Sequence, residues 1–219
     1  MTKYILDSMN LHPLSKNKPK QIIILCHGYG GSGKDISILA NNWKRFLPES
    51  IFICPNAPKP CSINLNGFEW FDLSQDKDNF LLEKSLEAER KLNIFIDQIL
   101  DNFKIDIQNL ALVGFSQGCM MVIQTALKKK KQINCLLGYS GKIINQEHLS
   151  LNIQSKPKIF LMHGEDDRIV SPNYLLEAKN YLKDKNLIVK TKLFKNCDHR
   201  ISVEGSSFGL KFLKKNLLY

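Results

Sequence analysis

Ser116 stands in Gly114-Phe115-Ser116-Gln117-Gly118, with a glycine two residues away on either side. The chemistry open to such a serine is nucleophilic attack on a carbonyl carbon. A serine at the apex of a tight strand-to-helix turn takes a strained backbone and needs neighbours without a Cβ. Its Oγ then stands clear at a helix N-terminus, where the helix dipole favours developing negative charge. The flanks supply that setting: Leu110-Ala111-Leu112-Val113 is an apolar run of the kind a buried strand shows, and Cys119 to Lys131 carries no Gly or Pro and reads as a helix. A rival serine in Gly138-Tyr139-Ser140-Gly141 fails the test, because Lys142 occupies the place of the second glycine.

A serine hydroxyl is a weak nucleophile at neutral pH and needs a base that a third group orients. Of five histidines, His12 precedes the core, His27 sits in a glycine-rich loop, His148 lies in a polar connection and His163 ends a strand, whereas His199 follows every expected strand. For a serine on such an elbow the chain order is serine, then Asp or Glu, then histidine. Met162-His163-Gly164-Glu165-Asp166-Asp167 puts three carboxylates between Ser116 and His199, at the carboxyl end of an expected strand, the edge where open α/β sheets gather their ligands. Order alone does not choose among the three. An acyl-transfer intermediate also needs two backbone donors for its oxyanion: Gln117, directly after the serine, and Tyr29 in the loop after an early strand are the expected pair.

The elements that must position these groups follow from the apolar pattern. Ile22 to Cys26, Ile51 to Cys54, Leu110 to Val113, Cys135 to Tyr139, Lys158 to Met162 and Leu187 to Phe194 read as strands, several of them continuous apolar runs buried on both faces. Tyr4-Ile5-Leu6 reads as an edge strand. Between the strands lie expected helices over about 35–46, 81–103 and 119–131; Ser171 and Pro172 open another to Asp184 at its N-cap and first position, and a last one runs to Leu218. The expectation is one α/β domain spanning residues 1–219, with a mostly parallel, doubly wound sheet and helices on both faces. Residues 55–79 read as an irregular loop, and its Phe68 and Trp70 are expected either to wall an acyl pocket or simply to pack the loop down.

Composition narrows the class. The chain has 219 residues, 43% hydrophobic and 24% charged, which is ordinary for a globular protein. It shows no run of the ~20 apolar residues a membrane span needs and no signal peptide, so a cytoplasmic location is expected. The formal charge of +10 comes mostly from scattered lysines. Without an arginine-rich arm or a known nucleic-acid motif it reads as solvated surface, leaving room for anionic substrates and for contact with a membrane surface. Six cysteines without a C-x-x-C pair read as free thiols, and no His/Asp cluster has metal-ligand spacing, so no metal or other cofactor is expected.

One rival uses the loop Gly28-Tyr29-Gly30-Gly31-Ser32-Gly33-Lys34, which fits G-x-x-x-x-G-K between a strand and a helix. A nucleotide-binding P-loop needs Ser or Thr next, to hold Mg²⁺, and Asp35 stands there instead. That reading, or a non-catalytic α/β binding protein, would leave the elbow and His199 unexplained.

Taken together, Leu25-Cys26-His27-Gly28-Tyr29-Gly30, Trp70-Phe71-Asp72-Leu73, the Ser116 pentapeptide, His163-Gly164-Glu165-Asp166-Asp167 and His199 resemble the phospholipase/carboxylesterase family of α/β-hydrolases, to which the acyl-protein thioesterases belong. The resemblance spans nearly the whole chain. It implies an α/β-hydrolase fold and a cofactor-independent serine hydrolase of carboxylic esters or thioesters, with Ser116 as nucleophile, His199 as general base and Asp167 as its orienting acid. The implied substrate is a small-molecule ester or thioester, a lipid or an acylated protein. Two positions depart from the family: Arg168 replaces its usual proline, and Asp198 precedes His199 where a small or apolar residue is common.

Overall fold

The computed structural model describes residues 4–218. In chain order the elements are β1 (Ser8–Leu11), β2 (Gln21–Cys26), α1 (Gly33–Trp43), β3 (Ser50–Pro55), β4 (Lys59–Pro60), β5 (Phe68–Glu69), α2 (Asp78–Phe103), β6 (Leu110–Phe115), α3 (Gln117–Lys128), β7 (Cys135–Tyr139), α4 (Gln146–Asn152), β8 (Lys158–Gly164), α5 (Asn173–Asp184), β9 (Val189–Phe194) and α6 (Val203–Leu217). Seven strands form one sheet in the order β1-β3-β2-β6-β7-β8-β9. Only β1 runs antiparallel to its neighbour; the other five pairings are parallel.

The sheet divides two apolar layers. Ile22, Ile24, Leu110 and Leu112 face a core built with α2, α3 and α5, while Ile23, Leu25, Ala111 and Val113 face α1 and α6 on the other side. Strands covered on both faces have no reason to alternate with polar residues, which is why they read as continuous runs. Each fully buried Ile or Leu contributes about 1.5–3 kcal/mol relative to exposure. The central strands β2 and β6 therefore make a stiff base beneath the loops at their carboxyl ends.

Three expectations needed correcting. Tyr4-Ile5-Leu6 is not a strand: Leu6 enters the core, Tyr4 sets its ring edge-on against Phe95 at 5.8 Å, and the Ile5 N–H goes to Gln98 Oε1. The edge strand is Ser8–Leu11 instead. The polar connection around His148 is the short helix α4, whose N-cap Asn145 accepts from the His148 N–H. The 55–79 loop is less irregular than its sequence suggests, since β4 and β5 pair within it. At the end of the elbow helix Lys128 pairs with Glu89 of α2, and just beyond it Lys129 pairs with Asp97.

Candidate active site

Ser116 sits at the junction of β6 and α3 with φ 53° and ψ −119°. A non-glycine residue there stores on the order of 1–3 kcal/mol of strain and persists only where its surroundings fix it. Here they do. The Ser116 N–H donates to the Tyr139 carbonyl of the neighbouring strand, and the Ser116 carbonyl accepts from Met120. A Cβ on Gly114 would overlap the Gly118 carbonyl, and one on Gly118 would overlap the Cys26 carbonyl. Both glycines are thus demanded by close backbone approach, as the spacing in the sequence implied.

His199 reaches the serine from the far end of the chain. The end of β9 and the segment after it are tied to the turn after β8 by two backbone bonds, Glu165 N–H to Phe194 O and Asp166 N–H to Cys197 O. A Cβ on Gly164 would strike the Cys197 carbonyl. This close packing holds His199 Nε2 2.9 Å from Ser116 Oγ and His199 Nδ1 2.7 Å from Asp167 Oδ2. Asp167 is buried, while Glu165 and Asp166 are exposed. Its other oxygen accepts from the Ile169 and Val170 N–H groups, each at 2.9 Å. Burial pushes the Asp167 carboxyl up, but the hydrogen bonds from His199, Val170 and Ile169 outweigh it and hold the group below its ordinary value. Asp198 turns outward to Arg200, with Oδ1 2.7 Å from Nε.

A cavity of about 390 Å³ opens beside Ser116, lined by Leu73, Leu81, Met120, Val170, Tyr174 and Lys142 among others. Tyr29 and Gln117 lie on its wall with Ser116 and His199. Gln117 is the first residue of α3, so its N–H belongs to the unpaired donors of a helix start. A wider trough of about 840 Å³ runs between α1 and α6. None of Ser116, Asp167 and His199 lines it, so the smaller cavity is the one that bears on chemistry. Sequence reading missed most of the smaller cavity's wall, because its residues come from six separate segments with no common spacing.

Comparison with known proteins matches this arrangement to a family. The phospholipase/carboxylesterase family model matches residues 14–217. This chain belongs to that family. It is a hydrolase of carboxylic esters or thioesters with the α/β-hydrolase fold. The crystal structure of esterase PE8 superposes with a TM-score of 0.93 at 31% identity, covering 97% of this chain and 99% of that one. Acyl-protein thioesterase 1 of Schizosaccharomyces pombe is 29% identical over 87% of this chain and 88% of its own. The Kluyveromyces lactis protein of the same name is 27% identical over 93% and 95%.

Within this family member the glycine-rich loop is committed to structure rather than to phosphate. Ser32 caps α1, its Oγ bonding both the backbone N–H and the carboxylate of Asp35. Gly33 lets the helix start against the Cys54 carbonyl, where a Cβ would collide.

Phe68 and Trp70 are not among the residues lining the cavity. Phe68 lies in β5, and Trp70 is wholly buried behind the site. The Trp70 indole N–H donates to the His27 carbonyl at 3.0 Å, and its backbone N–H donates to Gln117 Oε1 at 2.9 Å. Gln117 Nε2 in turn donates to the Phe71 carbonyl at 2.7 Å. Trp70 therefore clamps both segments expected to supply oxyanion donors. Trp70→Phe, which keeps the ring but removes the indole donor, is expected to lower kcat roughly tenfold with a smaller change in KM. Steady-state kinetics on a chromogenic ester would check this, and an unchanged kcat would remove the positioning role.

Two further histidines stiffen the site in their neutral form. His27 Nδ1–H donates to the Gly28 carbonyl at 2.7 Å, and Nε2 accepts from the Ala57 N–H at 3.0 Å. His163 Nε2–H lies 2.9 Å from the Val170 carbonyl and 3.1 Å from Asp167 Oδ2, while its buried Nδ1 has no partner among the described residues. Burial pulls both histidines below the ordinary imidazole value. Such groups bind protons more readily in the unfolded chain, whose pKa is about 6.5. Their contribution is complete above that pH and is lost as pH falls below it. The melting temperature is expected to drop between about pH 7.5 and 5.5, and less steeply in His27→Gln. Calorimetry at several pH values reads this directly, with the slope rather than the absolute Tm as the test.

Proposed function

We propose that this hydrolase works through an acyl-enzyme formed on Ser116, with His199 as general base and acid and Asp167 as the group that orients it. The observation that carries the reading is the unbroken relay from Ser116 Oγ through both ring nitrogens of His199 to Asp167, at 2.9 and 2.7 Å. As Oγ attacks the carbonyl carbon, His199 Nε2 takes the hydroxyl proton and Asp167 stabilises the imidazolium. The backbone N–H groups of Tyr29 and Gln117 receive the oxyanion. Collapse of the intermediate breaks the C–O or C–S bond, and His199 returns the proton to the leaving alcohol or thiol. Water then repeats the sequence on the acyl-enzyme and frees the carboxylic acid.

The cavity fits the acyl part of the substrate, with Leu73, Leu81, Met120 and Val170 offering an apolar wall. A second opening, lined by Tyr29, Ile36, Phe115, His199, Arg200 and Ile201, lies on the His199 side, where the leaving group must receive its proton. Acylated proteins or lipids are the natural substrate classes, supported by relatives that carry the name acyl-protein thioesterase. No helix among the described residues is long and apolar enough to cross a membrane, and a cytoplasmic site of action fits a substrate presented at a membrane surface.

The test is labelling with a fluorophosphonate, read by intact mass on wild type and Ser116→Ala. One adduct on the wild type and none on the variant is expected. No adduct on folded wild-type protein would overturn the proposed serine chemistry.

A further inference from the structure

Beyond the catalytic serine and histidine, Leu73, Leu81, Met120, Ile169 and Val170 make much of the acyl cavity's wall apolar. Its lining includes one Lys and one Asp, Lys142 and Asp76. Lys142 follows β7 on the loop beside the elbow; a Cβ on its neighbour Gly141 would meet the Ser116 carbonyl oxygen at 3.2 Å. The Lys142 side chain is only 8% exposed, and Nζ lies 2.6 Å from Asp76 Oδ1 and 5.0 Å from the centre of the Tyr174 ring. Its partner is different in kind: the Asp76 side chain is 74% exposed, on the loop between β5 and α2.

A buried ammonium in an apolar wall is costly without a negative partner. For a site meant only for an alkyl chain, a Leu or Met at position 142 would serve without that cost. Asp76, being exposed, regains full hydration when it swings away, so a second carboxylate or a phosphate inside the cavity can take its place on Lys142 at little expense. We infer that Lys142 is a specificity-determining residue, and that the cavity takes acyl groups carrying an anionic substituent, with Asp76 standing in for that anion in the free enzyme. The inference rests on the acyl-enzyme reading above and names the substrate class for the same site.

The experiment compares the mono-p-nitrophenyl ester of adipic acid, whose far end is a carboxylate, with p-nitrophenyl hexanoate, its neutral six-carbon counterpart. The readout is the ratio of the two kcat/KM values, which cancels any loss of active protein. Lys142→Met is expected to lower the adipate-to-hexanoate ratio about tenfold or more, the worth of one charge-assisted contact, mainly through KM of the anionic ester. Lys142→Arg keeps the charge and is expected to hold the ratio within about threefold, while Asp76→Asn frees Lys142 and is expected to raise it. A Lys142→Met ratio within about twofold of wild type, with both esters still cleaved, would overturn the inference and leave the hydrolase reading standing. A wild type that cleaves neither ester and takes no fluorophosphonate would overturn both.

Discussion

Ser116→Ala is expected to lower kcat roughly a million-fold while leaving the melting temperature almost unchanged. The catalytic half follows from the relay: with Oγ gone, His199 Nε2 has only water to activate, and the remaining acceleration comes from the backbone donors and substrate binding, worth on the order of 10³–10⁴ over water. The stability half follows from what the hydroxyl does not do. Although Ser116 stands at the N-cap of α3, its side chain makes no capping hydrogen bond, and alanine keeps the Cβ that the turn already accommodates. The backbone, not the hydroxyl, carries the strain, and Ser116→Gly separates the two. With φ at 53°, glycine relieves about 1 kcal/mol or more, partly offset by its larger unfolded-state entropy. That variant is expected to be equally inactive and to melt no lower than Ser116→Ala. Calorimetry beside ester turnover checks both statements, and a serine variant that unfolds readily would contradict this account of the elbow.

The elbow was legible in the sequence because its code is steric and written within five residues: Gly114 is required by the Gly118 carbonyl of the turn itself, and Gly118 by the Cys26 carbonyl of the adjacent strand β2. The doubly covered strands were legible because burial on both faces erases alternation. The acid was harder. Glu165, Asp166 and Asp167 are equivalent as residue types, and family likeness favoured the last. What physically separates them is the pinning of the turn by Phe194 and Cys197, which leaves the first two exposed and turns the third inward toward His199. Trp70 was left between two readings, pocket wall or loop packing, for a related reason. An aromatic beside an active-site loop looks like a substrate wall, and only the positions of the His27 carbonyl and the Gln117 amide reveal a clamp. Lys142 gave no local signal either; its significance lies in a partner 66 residues away.

Asp167→Asn is the sharpest test of that acid, since it changes charge and proton count while keeping shape. The native carboxylate accepts three hydrogen bonds, Oδ1 from the Ile169 and Val170 N–H groups and Oδ2 from His199 Nδ1–H, and the protonated His163 Nε2, which donates to the Val170 carbonyl, lies 3.1 Å from Oδ2. Asparagine has one acceptor oxygen, which the two backbone donors claim. Its NH₂ must then face both histidines. Toward His199 it donates to Nδ1, which moves the ring proton to Nε2, the nitrogen that should take the proton of Ser116. Toward His163 it opposes an N–H with an N–H, in a site where His163 Nδ1 already has no partner among the described residues. Turnover is therefore expected to fall about 10⁴-fold, the loss a wrong histidine tautomer produces in serine triads. Fluorophosphonate labelling should slow in parallel, because it depends on the same proton transfer. The two readouts together separate tautomer from collapse: an unfolded variant would lose its cooperative melt, whereas the misprotonated one keeps it. A variant retaining more than about a tenth of wild-type turnover would show that another group orients His199. His163, 3.1 Å from the same oxygen, cannot replace the carboxylate, because its facing nitrogen is already committed as a donor to Val170.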